Sequence, residues 1–218
     1  MKRISTITAL FAFLMFGPLV VAEEQIEKKE KDTRIYYRIA AGIAADARLN
    51  RIVRGDLTLH DDRTGIIGLE IGKAIVEDFR GWPLDLVAKA GLIRHFERDF
   101  QDDFYQFTLS IKVYYKGFPW RDWVDTRFGF AEGLSYAQRI PFIEQEDLGE
   151  DENTSHLLNH LDVSLDANIG DLFGQPNLRG CYFGFAVSHR SGVFGLFDIF
   201  GRVRGGSNYN TLYVECIR

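Results

Sequence analysis

The sequence has no excess of positive charge: its 26 Lys and Arg are outnumbered by 31 Asp and Glu, giving a formal net charge of -5. Without a positive field a chain has no electrostatic hold on nucleic acid, and that class of partner is set aside. Cysteine is scarce as well. Cys181 and Cys216 permit one disulfide, neither stands at a metal-ligand spacing, and nothing in the sequence calls for a metal or another cofactor. Beyond Ala22 there is also no run of the ~20 apolar residues that a membrane-spanning helix needs. The remaining classes are a soluble β protein and a membrane barrel.

What the chain does have begins at its amino end. Lys2 and Arg3 precede an apolar run from Ile7 to Val21 that closes on Val20-x-Ala22, the pattern of a cleaved export signal covering residues 1–22. The alternative, a retained anchor, is disfavoured by the short run and by Pro18 inside it. Residues 23–33 are charged and lack aromatics, which predicts a frayed tail before a single domain over 34–218.

Within that domain a period of two recurs in about eight segments. In FYQFTLSIKVYY, Tyr105, Phe107, Leu109, Ile111, Val113 and Tyr115 share one face, while Gln106, Thr108, Ser110 and Lys112 share the other. HLLNHLDVSLDANIG sets Leu157, Leu161, Val163 and Leu165 against His160, Asp162, Ser164 and Asp166. Alternation alone fits either a soluble lipocalin-like barrel or a membrane barrel turned inside out. The connections are more informative. They alternate long and short along the chain, and Trp82, Phe118, Trp120, Trp123 and Phe173 gather at the short-turn end as an interfacial girdle would. The reading is therefore an all-β, eight-stranded antiparallel transmembrane β-barrel of the bacterial outer membrane, with Arg38, Glu70, Asp85, Lys89, Lys112, Arg127, Asp162, Asp166 and Glu215 paired in its lumen. One departure is the last strand, which ends VECIR rather than on an aromatic residue.

The seventh strand carries the chemistry. In CYFGFAVSHRSGVFG, His189 and Ser191 fall on the same side as Phe183, Phe185 and Val187, the lipid side, at the external end of an outgoing strand. Residues i and i+2 on one face lie roughly 6.6 Å apart at the backbone, a gap that an imidazole and a hydroxyl can close. Imidazole is the base that titrates near neutral pH, and a serine hydroxyl becomes a nucleophile only when a base takes its proton. Parity also puts Asn208 and Asn210 of the last strand on this side and Glu215 in the lumen, so an asparagine is expected to orient His189. Cys181 and Cys216 meet at the opposite end of the same two strands, where a disulfide is expected.

AVSHRSGVFG followed by GGSNYNTLYV resembles the terminal hairpin of the outer-membrane lipid A 3-O-deacylases, the PagL-type acyloxyacyl hydrolases. The resemblance covers about the last forty residues. It implies an eight-stranded barrel that hydrolyses an ester-linked acyl chain of lipid A, with lipopolysaccharide and outer-membrane lipid as partners and no cofactor. Ser191 would be the nucleophile and His189 the base, and the family's acidic third member falls close to Asn208. The family tends to follow its serine with Asn-Ala-Gly, where this chain has Gly192-Val193-Phe194-Gly195; Gly192 still offers a backbone N–H to an oxyanion. Arg190, Arg202 and Arg204 bracket the last loop and are candidates to fork onto lipid A phosphates, with Asn210 beside them. A homodimer is compatible with the sequence, as is a non-catalytic barrel of envelope structure or adhesion. The acidic run from Glu144 to Ser155 reads as a solvated external loop, and Leu196, Phe197, Ile199 and Phe200 as an apolar patch in the last loop.

Overall fold

A computed structural model describes residues 34–47, 49–52, 54–146, 148, 154–192, 203 and 205–218. Eight strands run antiparallel in sequence order: β1 (Ile35–Ala44), β2 (Gly65–Val76), β3 (Leu84–Phe96), β4 (Phe104–Tyr115), β5 (Thr126–Ala137), β6 (Leu157–Asn168), β7 (Cys181–Ser191) and β8 (Gly206–Ile217). β8 pairs back onto β1, so the barrel is closed and has no free edge.

The two faces of the wall are those that the alternation predicts. Outward side chains are apolar and exposed, among them Leu109 at 62%, Leu69 at 56% and Leu212 at 56%. Inward side chains are polar, charged and buried. Water would not solvate such a belt, and lipid would. This inverted arrangement selects the membrane barrel over the lipocalin-like alternative. Trp82, Trp120, Trp123 and Phe173 are exposed at the end where the termini lie, as a girdle at a lipid–water boundary. No helix among the described residues is long and apolar enough to cross a membrane.

The lumen is filled by ions in register. Arg38 stands opposite both Glu70 and Glu215 across the two neighbouring strands. Its guanidinium lies 3.2 Å from Glu70, 3.3 Å from Glu215 and 3.1 Å from Asp162. Lys89 bridges Glu70 and Glu215, and Lys112 pairs with Asp162. Arg127 holds Asp166 through two nitrogens, at 2.9 and 2.7 Å, and reaches Glu215 at 3.0 Å. The Tyr114 and Tyr213 hydroxyls donate to Glu215 and Asp166, each at 2.7 Å. Arg38, Lys89, Lys112 and Arg127 thus face Glu70, Asp162, Asp166 and Glu215, and the charges balance. Above this layer, a cavity of about 30 Å³ between Arg38, Gly68, His160 and Thr211 has room for water but not for a solute, since one water needs roughly 10–15 Å³.

The loop end of the lumen is closed by a segment that the sequence places in solvent. Pro141 begins a five-residue helix, α2 (Phe142–Glu146), that turns into the barrel mouth. Ile143 packs on Ala44, Ile66, Ile93 and Tyr209, and Glu144 has no exposed surface. Glu97, from the β3–β4 connection, accepts the Phe142 N–H at 2.9 Å and so caps the helix. The first part of the acidic run is therefore a plug. Residues 147 and 149–153 lie outside the described residues, as does the apolar segment 196–200. A shorter helix, α1 (Leu49–Ile52), lies in the β1–β2 connection. Leu49 and Ile52 join the cluster that contains Val187 and Phe185, so α1 rests on the outside of β7. A third, α3 (Ile169–Leu172), forms part of a turn at the terminal end. There Cys181 stands opposite Cys216, and the two form a disulfide with S–S 2.03 Å.

Glu215→Gln removes one charge from a site shared by three cations. It is expected to cost about 3–5 kcal/mol, as breaking a buried pair does. Denaturant unfolding in detergent measures it, and a loss under about 1 kcal/mol would show that the ions are not mutually dependent.

Candidate active site

His189 and Ser191 occupy the loop end of β7, and the register sets their neighbours. His189 stands between Leu161 of β6 and Asn208 of β8; Ser191 stands between Asn159 and Gly206. All face outward. Gly206 is needed for close approach, because a Cβ there would meet the Arg190 carbonyl oxygen at 2.6 Å and the Ser191 Cβ at 3.3 Å.

The Asn208 side chain is fixed at both ends. Its Nδ2 donates to the Ala47 carbonyl at 3.2 Å, and its Oδ1 lies 2.7 Å from His189 Nδ1. The Asn208 carbonyl also accepts the Ala45 N–H at 2.9 Å. Because the amide nitrogen is committed to Ala47, its oxygen faces the imidazole, and the shared proton resides on His189 Nδ1. The lone pair of the neutral ring is then on Nε2, the position from which a base acts. The first connection thus does two jobs: α1 packs against β7, and Ala47 orients the residue that orients the histidine. Among the described residues no hydrogen bond joins His189 to Ser191. Glu215 lies in the lumen, bound to its cations, and has no part in this cluster.

Three sequence expectations change. Gly192 does not offer a free N–H, since that group donates to the Gly205 carbonyl at 3.3 Å and continues the ladder. Arg190 is not a rim cation available to phosphate. It points inward, is 2% exposed, and binds Glu144 at 3.1 Å and the His156 carbonyl at 3.2 and 3.3 Å, with the Ser155 carbonyl also in contact. Its neighbour in sequence faces lipid, so parity alone turns it into the lumen, where it pins α2. Burial pushes the Glu144 carboxyl above its ordinary value, with Arg190 and Thr154 pulling the other way. Asn210 stands opposite Val187 and Ile43, and both of its amide atoms are buried without a hydrogen bond, so it does not contact the imidazole in place of Asn208. Arg202 and Arg204 lie outside the described residues.

Two residues escaped the sequence. Glu144 was hidden in an acidic run, although an inward Arg190 required some carboxylate. Asn159 interrupts the outward row Leu157, Leu161, Val163 and Leu165, and that break in the apolar alternation was its available signal. A possible metal cluster of His60, Asp62 and Glu146 brings its ligand atoms within 4.8 Å of one another. However, His60 Nδ1 accepts the Asp62 N–H at 3.2 Å, so the neutral ring carries its proton on Nε2, 3.8 Å from Glu146, with no lone pair there for a metal.

No protein-family model matches the chain, and no curated protein does. Among solved structures it is similar to the outer membrane enzyme PagL, at 12% identity with a TM-score of 0.53, over 82% of this chain and 98% of that one. It is also similar to the outer membrane protein OprG of Pseudomonas aeruginosa, at 12% identity with a TM-score of 0.31, over 86% of this chain and 94% of that one. The likeness to PagL is one of fold. With its apolar belt and closed wall, the chain has the fold of an eight-stranded membrane barrel, the architecture it shares with that outer-membrane enzyme.

Arg190→Ala is expected to loosen the plug, leaving Glu144 buried and uncompensated at a cost of about 3–5 kcal/mol. The measurable consequence is earlier protease cleavage in residues 138–156 with the barrel still folded. An unchanged cleavage pattern would mean that Arg190 does not hold the plug.

Proposed function

We propose that this barrel is an esterase of the outer membrane that removes an ester-linked acyl chain from lipid A, with Ser191 as nucleophile, His189 as general base and Asn208 as the residue orienting the base. One observation carries the reading: the 2.7 Å contact between His189 Nδ1 and an Asn208 oxygen whose direction is set by Ala47. A merely decorative polar rim has no reason to fix an imidazole tautomer on a wall facing lipid, where each unpaired polar group is costly. The proposal also takes residues 1–22 as an export signal, with the loop end at the cell surface among lipopolysaccharide headgroups.

In the reaction Ser191 Oγ attacks the acyl carbonyl carbon while its proton passes to His189 Nε2. The tetrahedral intermediate then collapses as the imidazolium returns that proton to the leaving alkoxide, and water repeats the cycle to free the fatty acid. An asparagine carbonyl orients the ring but does not offset its positive charge as a carboxylate does, so turnover is modest. A non-catalytic barrel is the second reading, favoured by the absence of a His189–Ser191 hydrogen bond among the described residues.

Mass spectrometry of lipid A treated with the purified barrel decides between them. The wild type is expected to release a 3-hydroxy fatty acid. Ser191→Ala, His189→Ala and the double variant should each lose release to about the same extent, because the pair acts as a unit. Full release by either single variant would refute the mechanism. Asn208→Ala should lower kcat while the barrel still assembles, and Asn208→Glu should raise kcat above wild type.

A further inference from the structure

Resting on that reading, we infer that Asn159 supplies the oxyanion donor for Ser191. The backbone donor nearest the serine is not available, because the Gly192 N–H is spent on Gly205. Asn159 is the side chain directly across from Ser191 on β6, and its place on the outward row directs it to the same face. Opposed residues on one face have Cβ atoms about 4.5–5.5 Å apart, within reach of an amide group. On the other side of the serine stands Gly206, with no side chain, so Asn159 is the one polar side chain flanking Ser191 across the sheet.

Its surroundings give it no other employment. Asn159 is 5% exposed, and its amide enters no hydrogen bond among the described residues. A buried amide without a partner on a lipid-facing wall is costly, and leucine or valine fills the other outward positions of β6 through Leu165. A ligand oxygen at Ser191 would complete it. When Ser191 Oγ bonds to the acyl carbon, the carbonyl π pair moves onto oxygen. The Asn159 Nδ2–H then donates to that oxyanion, and collapse returns the pair to the C=O bond as the alkoxide leaves. The donor keeps its proton throughout, so the Ser191–His189 proton transfer is unchanged.

The test uses the full barrel in detergent with 4-nitrophenyl dodecanoate as ester and a fluorophosphonate as serine label. Asn159→Leu matches the neighbouring lipid-facing residues, and Asn159→Asp keeps the volume but removes the donors; heat-modifiable gel mobility reports folding of each. Both are expected to lower kcat by roughly 10²–10³ with KM little changed, and to slow labelling of Ser191. If the wild type hydrolyses and labels while both folded variants keep kcat within about threefold, Asn159 is not the donor and the Ser191–His189 reading stands. If the wild type neither hydrolyses nor labels at Ser191, that reading falls and the role of Asn159 with it.

Discussion

The barrel depends on the balance of charge in its lumen. Eight strands enclose a space that side chains must fill, and here four cations meet four anions in direct cross-strand or near-neighbour pairs. Such ions are tolerated only while every one is paired, because each left alone in a dry interior costs several kcal/mol. That requirement fixes register more firmly than apolar packing does. A slip of one residue in β8 would carry Glu215 out to lipid and leave Arg38, Lys89 and Arg127 short of their shared carboxylate. The same slip would turn Asn208 inward and away from His189. The outer site is therefore held in place by ions that never touch it.

This coupling explains why so much was legible in the sequence. The period of two and the identity of the inward charges determine which face each residue takes, and from the face follow the His189–Asn208 contact, the meeting of Cys181 with Cys216 and the exclusion of Glu215 from the site. What escaped lies where period two ends. α2 is five residues long and leads into an acidic run, so no periodicity announced that Ile143 and Glu144 enter the mouth. Arg190 was assigned a phosphate by its place beside the last loop, whereas the same parity that turns His189 and Ser191 to lipid turns it into the lumen, where the structure holds it on Glu144. Whether the Gly192 N–H is free depends on where the ladder stops, which propensity does not set to a single residue.

The plug and the charge layer together decide the route to the site. Among the described residues, the cavity above the ions holds water but nothing larger, and α2 caps the mouth over it, so this part of the lumen offers no path to an outward-facing histidine. A ligand for His189 must come along the wall from the lipid side or down from the loops. The first connection narrows even that, since α1 covers the wall at Val187 and Phe185. Among the described residues, what remains beside Ser191 is the β6 flank, bounded by Leu161 and Leu134, which stand next to His189 and Asn159.

An outward polar cluster on a membrane wall is expensive, and its distribution shows where that cost is offset. Asn208 is satisfied twice, by Ala47 and by His189, and serves as a rigid support. Asn210 has both amide atoms unpaired, yet it lies two residues nearer the terminal end, roughly 13 Å along the strands from the level of Ser191, too far to reach a group bonded there. Asn159 has no hydrogen-bond partner among the described residues and stands at the level of the serine itself. The cluster thus divides into one amide that fixes the base, one that is remote from the reacting position and one that stands open beside it. That division follows from register alone, and it is why the amide level with Ser191, rather than the remote one, is the group to which a substrate oxygen would turn.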